Sequence, residues 1–543
     1  MLNYIWVTLI LLGIGAALTT DIVNSSSDKY RNNIPLDITL TFENNVDSLT
    51  EGKQPVKLFV DANLFSNFYN VTVNTDYQAE GFINYKDELA ENFITIKVDE
   101  SSPVIWREMV SSSGDANNLS GKIKLAEQMS ANSFKSKIIF EEVSFAKMSD
   151  VTNAVLDYAG TAVTIALGLI GIMALWLGVM KVAEEAGLIK IIAKSLRPFT
   201  KRLFPEIPSD HPALSSMIMN ISANMLGLGN AATPFGLKAM EEMEKINPNK
   251  GTASNSMVTF LAINTAGLTL IPATAIAVRA ASGSSNPAII IGTTIFGAVC
   301  ATIAGVSAAK IIEKFYLESF NFFNWFRKNL KFFSLFALTI LAIILFFTSG
   351  LAISVGEFFS FISAERFKNI IGVISKLAIP LLIIIFIGYG AIKKVKVYES
   401  FIEGAKDGFN ISVKIIPFLV AMLIAIGIFR AGGAMDWLIY ILKPVTSLIG
   451  MPAEALPMAL MRPLSGSGSL GIMSENLAVY GPDSFIGILV STIYGSTETT
   501  FYVLALYFGS VNIKSTRHAL PVGLIADVVG ILAALFIVKL LFS

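Results

Sequence analysis

Four short stretches interrupt apolar runs with glycine, proline and small polar residues, and each half of the chain carries two of them, one helix apart. They are residues 227–234 (GLGNAATP) and 264–272 (NTAGLTLIP), then 462–471 (RPLSGSGSLG) and 495–500 (GSTETT). Backbone that leaves the helix inside a bilayer exposes N–H and C=O groups at several kcal/mol each unless protein, water or solute satisfies them. Such stretches belong where a cavity is lined. Paired interruptions at corresponding positions of two halves are the sequence mark of a transporter's binding site.

Composition supports a membrane setting. Mean hydropathy is +0.62, 53% of residues are apolar and 15% are charged, against roughly a quarter charged in soluble domains. Apolar runs near the span length occupy residues 2–19, 159–180, 287–309, 332–348, 370–392, 415–429 and 520–542, and with the two broken helices they predict about nine spans. The formal net charge is zero and gives no reason to expect nucleic acid. The single cysteine, Cys300, excludes an internal disulfide, and the two histidines, His211 and His518, are too few and too scattered for a zinc site. With no nucleophile beside a base and no metal cluster, no enzyme activity and no cofactor are expected.

Residues 20–149 read differently, with nineteen Asp or Glu, twelve Lys or Arg and no span-length apolar run. Alternating segments at 34–42, 56–65, 69–77, 93–100 and 137–145 predict a soluble antiparallel sheet or sandwich inserted into the membrane protein. The apolar run before it lacks the basic start and the cleavage site of a signal peptide, and is expected to stay as a membrane helix.

Basic clusters orient the chain. Lys181, Lys190, Lys194, Arg197, Lys201 and Arg202 follow one span, and Lys310, Lys314, Arg327, Lys328 and Lys331 another; Lys393, Lys394 and Lys396 follow a third, and Lys514 and Arg517 precede the last. All four clusters face the cytoplasm only if residues 213–246 and 456–479 are re-entrant hairpins that do not cross. An internal repeat then emerges: span, interfacial stretch (149–158, then 398–409), span, amphipathic stretch (184–204, then 435–449), hairpin, broken helix, span. The two copies are inverted, a helix at 332–348 carries the chain across between them, and residues 20–149 lie outside the cytoplasmic membrane.

Residues 1–19 joined to 150–315 resemble spore maturation protein A, through WVTLILLGIG, LWLGVMKVAEEAGL, RPFTKRLFPEIPSDHPA, NMLGLGNAATPFGLKAMEEM and MVTFLAINTAGLTLIPATAIAVR. Residues 372–543 resemble spore maturation protein B, through KKVKVYESFIEGAKDGF, IIPFLVAMLIAIGIFRA, LPMALMRPLSGSGSLGIM, YGPDSFIG, GSTETTFYVLALYFGSV and TRHALPVGLIADVVG. The resemblance implies the Gate, or nucleoside-recognition, superfamily, whose relatives include concentrative nucleoside transporters and the membrane part of ferrous iron transporters. It implies a solute pathway without naming the solute. Here the two proteins are fused through residues 316–369, and residues 20–149 have no counterpart in either.

The candidate site is argued from the residues themselves. The first hairpin tip offers Asn230 and Thr233 with helix-terminal N–H groups, and the second offers Ser465, Ser467 and Ser469 between glycines. The broken helices add Asn264, Thr265 and Thr269, and Ser496, Thr497, Glu498, Thr499 and Thr500. Glu498 is the one acid of this cluster and is read as a solute ligand or as a group coupling a proton or sodium ion. Arg462 either holds an anionic solute or pairs with Glu498. Asn230, Asn264 and Thr265 serve equally well to satisfy unwound backbone. Asp527 is expected to be paired structurally, His211 to cap the start of a hairpin, and Glu241, Glu242 and Glu244 to form a solvated helix end. SGSGSLG is not a phosphate loop, since no strand precedes it and no Gly-Lys-Ser/Thr follows.

The expected fold is an all-α polytopic inner-membrane protein of two inverted Gate-type repeats with re-entrant hairpins and discontinuous helices, plus an inserted soluble β-rich domain. The expected function is alternating-access transport of a small polar or anionic, nucleoside-like metabolite. Its partners would be that solute, membrane lipid and a coupling proton or sodium ion, with a homo-oligomer compatible with the chain. The rival reading is a non-transporting scaffold or sensor of the cell envelope that acts through the external domain.

Overall fold

The structure is a computed structural model describing residues 2–43, 51–86, 91–113, 117–208, 210–316 and 364–542, with Arg327. The helix expected at 332–348 lies outside the described residues. The chain divides into two compact units, one formed by Asn3–Ala159 with Ile424–Ile441 and the other by Gly160–Leu423 with Leu442–Ser543 and the first two residues.

In the first unit, helix α1 (Leu2–Ser26) precedes six strands: β1 (Leu36–Phe42), β2 (Gly52–Val60), β3 (Tyr77–Tyr85), β4 (Asn92–Lys97), β5 (Asn118–Ser130) and β6 (Ser133–Phe140). Consecutive strands pair antiparallel, and β1 pairs with β6 from Leu36↔Ile138 to Thr41↔Ser133. This closes the sheet into a barrel. The expected antiparallel sheet is present, but closed into a barrel and not built as a sandwich, because alternation marks one buried face of each strand but does not say which strands pair first to last. Of residues 69–77, expected as a strand, Tyr69 ends helix α2 (Ala62–Tyr69), Tyr77 begins β3, and 70–76 between them are not strand. Asp61 caps α2 through its side chain and Asn70 ends it at φ 55, so VKLFV turns from strand to helix at an aspartate. Inward side chains Leu40, Leu58, Ile83, Ile94, Ile123 and Ile138 fill the barrel, and Trp106 of α3 (Val104–Ser113) donates Nε1–H to the Tyr69 hydroxyl at 3.2 Å. The Asp21 carboxylate accepts the N–H groups of Lys147 and Met148 at 2.9 Å, and so satisfies the first donors of α4 (Ala146–Glu185).

The helices that follow the barrel in the chain repeat one order of elements twice. The first copy runs through α4, α5 (Leu188–Leu203), the hairpin α6 (Pro212–Met225) and α7 (Gly229–Ile246), the broken pair α8 (Asn255–Ala266) and α9 (Ala273–Ala281), and α10 (Ile290–Ile312). After α11 (Ala364–Ile392), the second runs through α12 (Val397–Ala431), α13 (Ala434–Ile449), the hairpin α14 (Leu456–Met461) and α15 (Gly466–Tyr480), the broken pair α16 (Phe485–Ser496) and α17 (Thr500–Ser510), and α18 (Ala519–Phe542). The stretches read as interfacial are continuous with their spans. The 40-residue α4 and 35-residue α12 are about 60 Å and about 52 Å long, more than a bilayer's apolar depth. Among the described residues, five helices are long and apolar enough to cross a membrane: α1, α4, the α10 helix from Pro287, α12 and α18.

Helix α10 packs on α18, and each also packs on the first half of both broken helices, α8 and α16. Small residues permit this close approach. A Cβ on Gly305 would come within 3.0 Å of Ala526 Cβ, and one on Gly530 within 3.1 Å of Ala301 Cβ. Because α9 packs on α16 and α17 on α8, the two broken helices run antiparallel. Their ends are tied by two arginines, one from each copy. Arg279, fully buried near the end of α9, binds Asp483 at 2.9 Å and the Pro482 carbonyl just before α16. Arg517, after α17, binds the Ala253 carbonyl at 3.1 Å and Asn255 Oδ1 at 2.9 Å at the start of α8.

Candidate functional site

The helix breaks sit where their sequences stop propagating hydrogen bonds. Gly267, at φ 60, ends α8, and Pro272 precedes α9. Residues Thr497, Glu498 and Thr499 lie outside any helix, with Thr497 and Thr499 in extended conformation. The two breaks cross in contact: Glu498 N–H donates to the Thr265 carbonyl at 2.9 Å, and a Cβ on Gly267 would lie 2.9 Å from Glu498 Cγ. Each break also meets the hairpin of its own copy. Leu270 N–H donates to the Met225 carbonyl at 2.8 Å, and Phe501 N–H to the Pro463 carbonyl at 3.1 Å. All four interruptions therefore converge, and they satisfy part of one another's unwound backbone.

The hairpin tips are more helical than their sequences suggest. Only Leu226, Gly227 and Leu228 separate α6 from α7, so Asn230 and Thr233 belong to the first turns of α7. Likewise Ser465 caps α15 by accepting Gly468 N–H at 3.0 Å, and SGSGSLG forms the start of that helix. Glycine-rich sequence here permits close packing rather than unwinding.

A cleft of about 300 Å³ adjoins the crossing, walled by α4, α12 and the breaks. Of the residues singled out in sequence, Thr269, Arg462 and Glu498 line it. Glu498, with its side chain 52% exposed, reaches Arg462 Nη2 at 3.5 Å. Arg462 is 3% exposed and its guanidinium turns inward: Nη1 donates to Thr499 Oγ1 at 3.3 Å, Nη2 to the Thr497 carbonyl, and the group stacks 4.6 Å from the Tyr494 ring centre. Of the two readings left open for Arg462, the internal one describes its bonds.

The other candidates bond back into the fold. Asn264 accepts the Asn224 amide at 3.0 Å and the Tyr507 hydroxyl at 3.4 Å, while its own amide donates to the Phe260 carbonyl. Thr265 Oγ1 donates to the Ala262 carbonyl, and Ser469 to the Ser465 carbonyl. Ser465 and Ser467 lie 3.3 Å apart, hydroxyl to hydroxyl. Ser496 donates to the Thr492 carbonyl, Thr497 to the Ile493 carbonyl, and Thr500 to Asp527 at 2.6 Å. None of these, nor Thr499, lines the cleft. Small hydroxyls inside helices find the carbonyl one turn back, which is the bland reading of such residues.

Sequence reasoning missed the far wall. Lys181 and Glu184 of α4, Asp407 of α12, Asn224 of α6 and Tyr494 of α16 line the cleft. Lys181 pairs with Glu184 at 3.5 Å and with Glu403 of α12 at 3.6 Å. A signal existed in acids and a base at helical spacing on span ends, 181/184 and 403/407, but it reads equally as interfacial polarity. His211 caps α6 through Nδ1, as expected, and Glu241 and Glu242 form ion pairs with Lys238 and Lys245.

The Gate family, described as nucleoside recognition, matches residues 166–281 and 412–514. Spore maturation protein B of Bacillus subtilis (strain 168) is 54% identical over 175 residues, 32% of this chain and 98% of that protein. Spore maturation protein A of the same organism is 49% identical over 169 residues, 31% of this chain and 85% of that protein. Inner membrane protein YjiG of Escherichia coli (strain K12) is 34% identical over 86 residues, 16% of this chain and 56% of that protein. No solved structure matches the chain.

Proposed function

We propose that this chain, which belongs to the family of spore maturation proteins A and B and joins a counterpart of each in one polypeptide, is a transporter that moves a small polar solute across the bacterial inner membrane by alternating access. The observation that carries the proposal is the crossing of two broken helices from opposite copies, Glu498 N–H on the Thr265 carbonyl, beside a cleft of about 300 Å³. That volume is at the lower end of small-molecule sites, which run from about 300 to about 1,000 Å³.

Wall chemistry narrows the solute. Both basic groups are already engaged, Lys181 by Glu184 and Glu403 and Arg462 by the 497–499 break, while Glu184, Asp407 and Glu498 are acidic. These walls favour an uncharged polar or cationic solute, nucleoside-like in its hydrogen-bonding groups, over an anion. Positive residues at the span ends support a cytoplasmic face for the Arg517 tie and an external face for the barrel. No chemistry on the solute is required.

Uptake into proteoliposomes, screened over nucleosides and small cations, tests this. Glu498→Gln is expected to lower flux at least about tenfold, equivalent to about 1.4 kcal/mol of lost interaction, while removal of residues 25–145 leaves flux in place. The opposite pattern, with flux indifferent to Glu498→Gln and activity lost with the barrel, favours the envelope scaffold.

A further inference from the structure

Helix α18 carries a buried acid, Asp527, that forms no ion pair among the described residues. Asp527 is 1% exposed; Thr500 Oγ1 donates to its Oδ2 at 2.6 Å, and Oδ1 has no hydrogen-bond partner among the described residues. The charged groups that act on it are Arg462 and Glu498. Of the helices packed on α18, α8 has no titratable side chain, α10 has Cys300 and Lys310, α16 has Tyr494, and α17 has Tyr502 and Tyr507. None of these hydrogen-bonds to Asp527. An ionised carboxylate buried with one hydrogen bond costs several kcal/mol, and the neutral acid, which carries no charge to desolvate, costs less.

We propose that Asp527 is a proton-binding site whose loading sets the conformation of the 497–499 break, so that transport through the adjoining cleft is coupled to protons. The inference rests on the transporter reading and deepens it. Ionised Asp527 needs a cation or water. The cation whose charge acts on it is Arg462, whose Nη groups are held by Thr497 and Thr499, and the next residue, Thr500, is the one that holds Asp527. Loss of the proton to water therefore competes for the same guanidinium that fastens the break. The break carries Glu498, which forms part of the cleft wall. Only the O–H bond of the carboxyl breaks, and the proton leaves as hydronium.

The intact protein in proteoliposomes is titrated from about pH 3 to about pH 9, a range that starts below the ordinary carboxyl values, and the C=O stretch of protonated carboxylic acid is followed by infrared difference spectroscopy. A titrating band is expected in the wild type, lost in Asp527→Asn, and moved to higher frequency in Thr500→Val, which lacks the hydroxyl donor. In a Cys300→Ala background, the rate at which an impermeant maleimide labels Thr269→Cys is expected to change with pH, and to lose that change when Asp527→Asn is added. The same titrating band or the same pH-dependent labelling in Asp527→Asn overturns the proposal. Should Asp527→Asn not fold, an unmoved band in Thr500→Val overturns it alone. Solute flux that ignores both a pH gradient and Asp527→Asn removes the coupling and leaves the transporter. A titrating Asp527 band with pH-dependent labelling, but without flux of any screened solute, keeps the proton site and removes transport.

Discussion

Gly267 stands where the two breaks touch, at φ 60, with Glu498 Cγ 2.9 Å and Glu498 N 3.1 Å from where a Cβ would lie. Both the left-handed backbone and the close approach require glycine. Gly267→Ala is expected to lower stability by at least about 1–2 kcal/mol from the backbone term alone, read as a fall in Tm of the purified protein. His518, just ahead of α18, governs a pH dependence. Burial, then the neighbouring Arg517 guanidinium, hold its imidazole down at about 4. The unfolded chain takes up that proton at about 6.5, so between these values it binds more protons than the folded one. Stability is therefore lost as pH falls from about 6.5 to about 4, by up to about 3 kcal/mol. His518→Gln is expected to flatten this acid limb of the Tm profile. Little of this is legible residue by residue: Ser469, Ser496 and Thr500 look like wall groups until the carbonyl or carboxylate each one bonds is known.

At the scale of elements, the four interruptions were readable because glycine, proline and polar residues inside apolar runs have few other uses in a bilayer. Their extent was not. The stretches 229–234 and 466–471 begin α7 and α15 as helix, since glycine and serine permit either state and packing decides between them. The arginine ties fasten the broken helices at both ends. Burial by itself raises the Asp483 carboxyl, but hydrogen bonds from Ser284 and Ser285 and the Arg279 charge together outweigh it and hold the group below its ordinary value. Asp483→Asn strands a buried guanidinium. The expected loss is about 1–3 kcal/mol, less than the roughly 3–5 kcal/mol of a fully buried pair, because the Asp483 side chain is 42% exposed. Thermal unfolding of Asp483→Asn, Arg279→Met and the double variant measures it, and a double variant no worse than Asp483→Asn identifies the stranded charge as the cause.

Across the whole molecule, the chain combines a closed β-barrel with a twice-repeated helical body. The barrel has its own core, in which Trp106 meets Phe65, Tyr77 and Phe140 at ring-centre distances of 5.3–5.5 Å. Trp106→Ala is expected to cost about 3–5 kcal/mol, seen as lost hydrogen-exchange protection in β1–β6 with α8, α10 and α18 unchanged. Membrane character, the β-rich insert, the repeated order of elements and the positions of the helix breaks all follow from one-dimensional properties, because hydropathy, period and backbone-breaking residues are local along the chain. Closure of the barrel, the crossing of the breaks, the inward turn of Arg462 and the burial of Asp527 join residues tens to hundreds of positions apart. Such pairings leave no local mark, so they were decided only when packing brought the distant segments together.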